Sequence, residues 1–297
     1  MQYNCSIIYH ESIQIVKMKH LIGVRALSGL VFISSCHSGE AAREIPADSG
    51  GQVKTSTTTP SVTDKPFVYD SSKQYIYISF DDGPQRGTME SYAICKDLNI
   101  KATYFLVAAH VKGRNDGRKI VTTLQNSYPA FVTANHSYYH AKGRYDSFYR
   151  HPNGAFQDFQ NAQDTIRLNK KLLRLPGNNA WALNDTMRAS RLVRPVTRKL
   201  DSAGYNVLGW DSEWHFNPKD ARPVQSAEKM ARHIKSLLDS NQTFTRNHLV
   251  LLTHDRMFQR PSDQDSLRKM LQILKQNPRY VFETLDHYPG LKRQTIR

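Results

Sequence analysis

From Tyr75 onward, short apolar bursts alternate with longer segments whose apolar positions recur at helical spacing. The bursts predict strands at Tyr75–Phe80, Thr103–Val107, Phe131–Ala134, Leu172–Leu175, Tyr205–Trp210, Leu249–Thr253 and Tyr280–Thr284. Several are continuous rather than alternating, the pattern of strands covered on both faces. Between them, helices are predicted over Gly87–Leu98, Phe156–Lys171, Arg188–Ala203, Ala227–Ser240 and Ser262–Asn277. Regular strand-then-helix order over about two hundred residues predicts a parallel α/β sheet, open or closed into a barrel. No solenoid-type repeat interrupts it.

The first seventy residues do not share this pattern. Residues 1–36 contain a second methionine, Met18, an alternative true start, followed by the basic Lys19 and Arg25 and an apolar run from Ala26 to Ile33. Such a segment is too short to cross a bilayer and has the build of an export signal. It ends Ile33-Ser34-Ser35-Cys36, which resembles the lipobox of bacterial lipoproteins. That resemblance implies a lipidated Cys36 and a protein tethered to a membrane of the bacterial envelope. The stretch 37–70 is rich in Ser, Thr, Gly and Pro. With little apolar surface to bury it cannot offset the entropy of ordering, so it reads as a tether. Residues 71–297 form the single catalytic domain.

Composition narrows the function classes. Hydrophobic residues are 39% of the chain and charged residues 23%, which suits a packed core. The net charge of +15 is a bias toward anionic envelope surfaces. Zinc-finger spacing, an aromatic RNA-binding motif and an unbroken basic helix are all missing, so no nucleic-acid partner is expected. Three cysteines without a C-x-x-C exclude a disulfide framework and a thiolate metal cluster.

Chemistry-bearing residues recur just after the predicted strands. Asp81 and Asp82 follow the first, His136 and His140 the third, Arg174 closes the fourth, Asp211 follows the fifth and His254 the sixth. In a parallel barrel these ends open on one face, where catalytic groups gather. Asp81 and Asp82 would repel one another without an intervening cation, and alternation along a strand would send them to different partners. Alone, the pair reads as a solvated turn. His136 and His140 stand at i, i+4, which on a helical turn stacks both imidazoles on one face; alone, they read as a surface pair. Together with one carboxylate they make a ligand set for a hydrolytic metal, leaving positions for water and substrate.

The segments SFDDGP, HSYYH, RLPG, WDSEW and LLTH, in this order, resemble the polysaccharide deacetylases, carbohydrate esterase family 4 with a NodB-homology domain. The resemblance spans Tyr75 to Leu285. It implies a distorted (β/α) barrel of seven to eight repeats. It also implies a divalent metal on Asp82, His136 and His140, zinc first, with cobalt or nickel as alternatives. Asp81 would be the base, oriented by Arg174, and His254 the acid. Trp214 and Leu252 would wall the acetyl pocket, and the Gly177 N–H would bind the oxyanion. The implied activity is removal of N-acetyl groups from an envelope or extracellular polysaccharide.

Two departures from the family pattern stand out. Gly177 occupies a place where many members carry an aromatic residue. Asp211-Ser212-Glu213 precedes Trp214 where an Asp usually stands directly before it, so either Asp211, preferred for its strand-end position, or Glu213 would support His254. Two other functions fit the same residues: an O-acetyl esterase acting on a glycan, and a glycan-binding lipoprotein with impaired catalysis. The aromatic loop after the second motif, including Tyr138, Tyr139, Tyr145, Phe148 and Tyr149, either stacks on sugar rings or packs on the barrel rim.

Overall fold

The segment QYIYISFDDG, β1 (Gln74–Gly83), is buried along its whole length in the computed structural model, which describes residues 67–292 apart from Asp185. The expected export signal, Cys36 of the expected lipobox and most of the expected 37–70 tether lie outside the described residues. The last tether positions do not: Phe67 packs on His287 at 4.5 Å and Tyr69 on Tyr75 at 5.3 Å. The folded domain therefore already includes Phe67.

Nine further strands join β1: β2 (Ala102–Leu106), β3 (Phe131–Asn135), β4 (Leu172–Leu173), β5 (Trp181–Leu183), β6 (Thr186–Arg188), β7 (Asn206–Val207), β8 (Ser212–Glu213), β9 (His248–His254) and β10 (Tyr280–Phe282). Their order is β6-β5-β7-β4-β3-β2-β1-β9-β8, with β10 pairing the start of β1. The pairings are parallel except around β5, which runs antiparallel to β6 and β7. Eight helices flank the sheet: α1 (Thr88–Asp97), α2 (Ala108–Gly113), α3 (Gly117–Gln125), α4 (Tyr145–Tyr149), α5 (Pro152–Ile166), α6 (Arg194–Ser202), α7 (Ala227–Asp239) and α8 (Pro261–Lys275). This is the expected distorted barrel, reduced to a half-barrel sheet with helices.

Alternation along β1 divides the core. Ile76, Ile78 and Phe80 face a large cluster with helices α1, α7 and α8, while Tyr75 and Tyr77 face the inner cluster with Phe105, Trp181, Leu208 and Val250. Both faces are covered, which is why the strand reads as an unbroken apolar run.

The differences from expectation have local causes. The helix expected from Arg188 begins only at Arg194, because the chain first completes the β5–β6 hairpin and because Pro195 suits a helix start. The helix expected from Phe156 begins at Pro152 for the same reason and stops before Arg167, whose φ is +64°. Helices α2 and α3 are six and nine residues long, too short for their periodicity to stand out.

Candidate active site and metal centre

The site is built where β1 stops being regular. Asp81 still pairs in register with His254 of β9 and Phe105 of β2, but the register then slips between Asp81 and Gly83. Asp82 takes φ +75°, a left-handed conformation that Asp tolerates better than most residues. The slip cancels strand alternation. Asp81 and Asp82, expected to diverge, instead approach one imidazole: His136 Nε2 is 3.6 Å from Asp81 Oδ2 and 3.5 Å from Asp82 Oδ1. Gly83 and Gly87 make room for this turn. A side chain on Gly83 would collide with the Asp255 carboxylate, and Gly87, at φ +100°, lies against the Asp255 carbonyl.

His136 and His140 come together, though not on a helix as the spacing suggested. β3 ends at Asn135, and Ser137, His140, Ala141 and Lys142 all adopt positive φ. The resulting tight loop sets the two rings 5.0 Å apart. It is fixed at its base by Ser137 N–H donating to Asn135 Oδ1 (2.8 Å) and by His140 N–H donating to Ser137 Oγ (2.9 Å). His140 Nε2 lies 3.0 Å from Asp82 Oδ1.

These three groups fit a divalent cation. One donor atom from each of Asp82, His136 and His140 lies within 4.8 Å of the others. Asp82 Oδ1 is buried and receives no hydrogen bond. His136 Nδ1 lies 3.0 Å from the Arg174 carbonyl oxygen; donating there fixes the ring with Nε2 toward Asp82, the second-partner arrangement typical of a metal-binding imidazole. Burial alone would raise the Asp82 pKa, but His136 and His140 outweigh it and hold the carboxyl well below its usual range.

Arg174 serves two of these residues. Its side chain is wholly buried. Nη1 donates to Asp81 Oδ1 (2.8 Å) and Ser79 Oγ (2.7 Å), Nη2 to the Gly209 carbonyl (2.9 Å), and Cζ lies over the Phe105 ring, 4.2 Å from its centre. Its own carbonyl orients His136. One residue at the end of β4 thus aims both the candidate base and a candidate ligand. A buried charge held by this many partners is costly to disturb.

His254 closes β9 across from Asp81, its ring edge-on to Phe216 at 4.9 Å and its Nδ1 buried without a partner. Burial lowers its pKa, opposed by the charges of Asp82, Asp81 and Glu213. Asp211 does not support it. Both Asp211 carboxylate oxygens accept backbone N–H groups, Oδ1 from Phe244 (2.6 Å) and Oδ2 from Val250 (2.8 Å). Burial pushes Asp211 up to about 6 against these bonds. Its strand-end position is spent on pinning the loop before β9, and of Asp211 and Glu213 it is Glu213 whose charge acts on His254, after those of Asp82 and Asp81.

The expected substrate-binding positions are mixed. Trp214 is wholly buried, its indole N–H donating to the Gln225 carbonyl (2.9 Å) and its ring packing on Phe258, while Leu252 is buried on β9. Neither presents an open wall in this structure. Gly177, at φ +63°, is exposed, and a Cβ there would lie 2.9 Å from the Tyr145 ring. Tyr145 also stands edge-on to His140 at 5.8 Å. An aromatic ring therefore does cover this corner, supplied by α4 rather than by the residue after Pro176. Tyr149 is buried and donates to the Pro176 carbonyl (2.7 Å), so it packs on the rim, whereas Tyr139 is half exposed beneath Lys142.

Two neighbours escaped the sequence reading. Arg256 Nη2 sits 3.0 Å from Asp82 Oδ2, and His110 Nδ1 donates to the Asp82 carbonyl oxygen at 2.6 Å. The position of Arg256, two residues past His254 at the same strand end, was the available signal. His110 had none, because α2 was not foreseen.

Comparison with known proteins follows the same lines. Residues 69–186 match the family model described as polysaccharide deacetylase. A chitin disaccharide deacetylase from Vibrio alginolyticus is 24% identical, across 75% of this chain and 73% of its own. A peptidoglycan-N-acetylglucosamine deacetylase from Bacillus cereus is 27% identical, across 73% and 72%. The catalytic domain of peptidoglycan N-acetylglucosamine deacetylase from Eubacterium rectale superposes with a TM-score of 0.56 at 21% identity, covering 78% of this chain and 98% of that one. A family 4 carbohydrate esterase from Streptomyces lividans gives 0.52 at 18%, covering 73% and 95%; these two structures show a shared fold. The matched segment carries Asp81, Asp82, His136, His140, Arg174 and Gly177. The family-model match and the relatives thus share one description, polysaccharide deacetylase, and the two structures share the fold of this chain.

Proposed function

We propose that this domain hydrolyses the N-acetyl groups of an N-acetylglucosamine-containing envelope or extracellular glycan in a metal-dependent reaction. The observation that carries the reading is the convergence of Asp82, His136 and His140 beside Asp81, which Arg174 holds at 2.8 Å. The printed activities of the two relatives, on chitin disaccharide and on peptidoglycan N-acetylglucosamine, supply the substrate class.

A divalent ion bound there, zinc first among the candidates, would acidify a water and polarise the acetamide carbonyl. Asp81 keeps one oxygen on Arg174 and has the other 3.6 Å from His136 Nε2, which supports a role in taking the water's proton. The Gly177 N–H would donate to the developing oxyanion. His254, opposite Asp81, delivers a proton to the departing amine, which leaves poorly without one. Trp214 and Leu252 would close around the acetyl methyl once a substrate is seated.

Acetate release from an N-acetylated chito-oligosaccharide should stop with a chelator and return on adding zinc or cobalt. Activity undiminished after complete metal removal would sink the metal-dependent reading, and faster release from O-acetylated than from N-acetylated glycans would redirect it to an esterase. We also propose that Cys36 anchors the protein to an envelope membrane. Cys36→Ser should move the protein from the membrane fraction to the soluble one; an unchanged membrane fraction would refute the anchor.

A further inference from the structure

Beside Asp82 lies a cleft of about 530 Å³ that the proposed reaction does not use. Pro84, Gln85, Arg86, His110, Arg114 and Arg256 line it. Its size falls in the range of sites for small ligands. It borders the catalytic centre directly: Arg256 holds Asp82 Oδ2 at 3.0 Å and His110 holds the Asp82 carbonyl at 2.6 Å.

The lining has three guanidinium groups and no carboxylate. Arg86 is exposed and makes no hydrogen bond or ion pair among the described residues. Among the described residues the Arg114 side chain hydrogen-bonds to Asp116 alone, at 2.8 Å through both Nε and Nη2, in a pair whose side chains are 32% and 51% exposed. Such a surface pair contributes little and can be exchanged for another anion. Arg256 buries its Nε without a partner and shares its charge with Asp82. A chain of net charge +15 adds a long-range field of the same sign. Guanidinium groups in a shared cleft match the planar oxygens of a carboxylate or phosphate, which they bind in paired hydrogen bonds.

We propose that this cleft is a subsite for an anionic substituent, a carboxylate or a phosphate, carried by the glycan on the sugar next to the one losing its acetyl group. The inference rests on the deacetylase reading and narrows its substrate to an acidic N-acetylated glycan. Arg86 and Arg114 are the specificity-determining residues; Arg256 links the subsite to Asp82.

The test uses the full metal-loaded protein and three oligosaccharides of equal length: neutral N-acetylglucosamine, the same with one carboxylate-bearing sugar, and the same with one phosphorylated sugar. At low ionic strength kcat/KM for at least one acidic oligomer should exceed that of the neutral one by about tenfold or more, and the preference should shrink as salt is added. Preference for the carboxylate oligomer alone assigns an acidic sugar; preference for the phosphate oligomer alone assigns a phosphorylated one; either supports the subsite. In Arg86→Gln/Arg114→Gln the ratio of acidic to neutral kcat/KM should fall toward one. Equal rates on all three substrates in the unmodified protein, or a preference the double variant leaves intact, would overturn the subsite without touching the deacetylase reading. Release of no acetate from any oligomer would instead overturn that reading itself.

Discussion

The two ends of the sheet bury similar side chains and use them differently. At the N-terminal ends, His248 is stacked on Tyr75 at 5.0 Å, hydrogen-bonded to Tyr77 (2.9 Å) and boxed by Tyr69 and Tyr288. Nearby, Glu283 receives Lys101 at 2.7 Å and the Thr284 N–H at 2.9 Å. At the C-terminal ends, Asp82 Oδ1 and His254 Nδ1 are equally buried yet receive no hydrogen bond, and three potential ligand atoms converge on one point. Burial of a histidine or a carboxylate is thus common to both ends. What separates them is convergence: among the described residues, only Asp82, His136 and His140 bring three donor atoms that could hold a metal within 4.8 Å of one another.

Asp81→Asn tests the working end most severely. Acetate release should fall by about a thousandfold or more, while bound metal, measured by atomic emission, stays near the level of the unmodified protein. A variant that keeps full activity would remove Asp81 from the chemistry. His254→Gln comes next, with an expected loss of about a hundredfold in kcat and a smaller change in KM; a loss confined to KM would make His254 a binding group.

His248→Phe probes the other end, and the expected effect is on stability alone. Burial lowers the His248 pKa from 6.5 to about 4, so the unfolded chain takes up this proton first. Its contribution is therefore complete above about pH 6.5 and drains away as pH falls toward about 4. Urea midpoints should drop across that window in the unmodified protein and drop less in the variant. At neutral pH the lost hydrogen bond to Tyr77 should cost about 1 kcal/mol with activity unchanged. If His248→Phe abolished acetate release in folded protein, the division between the two ends would fail.

Much of this was legible in the sequence, and the reasons are local. β1, β3 and β9 are long or wholly buried, so their apolar runs announced them and fixed the strand ends where Asp81, His136 and His254 stand. β5, β6 and β8, of two or three residues, carry no period to read. Asp211 shows the limit of position as a guide: a strand-end carboxylate can face a site or, as here, turn to backbone N–H groups, and only the approach of Phe244 and Val250 decides. Arg256 and His110 were missed because their relation to Asp82 depends on how α2 and the turn after β9 pack around a backbone with φ +75°. The meeting of Asp81 and Asp82 at one imidazole was hidden for the same reason, since regular alternation points the other way.

The ring of Tyr145 over Gly177 has a consequence for how this domain can vary. An aromatic residue at position 177 and one at position 145 compete for a single volume, and the left-handed backbone of Gly177 penalises any side chain there. The two sites are therefore epistatic. Gly177→Tyr alone overfills the corner and Tyr145→Gly alone empties it, so a lineage or an engineer moving the ring from one loop to the other must change both positions together or cross an intermediate poorer than either end.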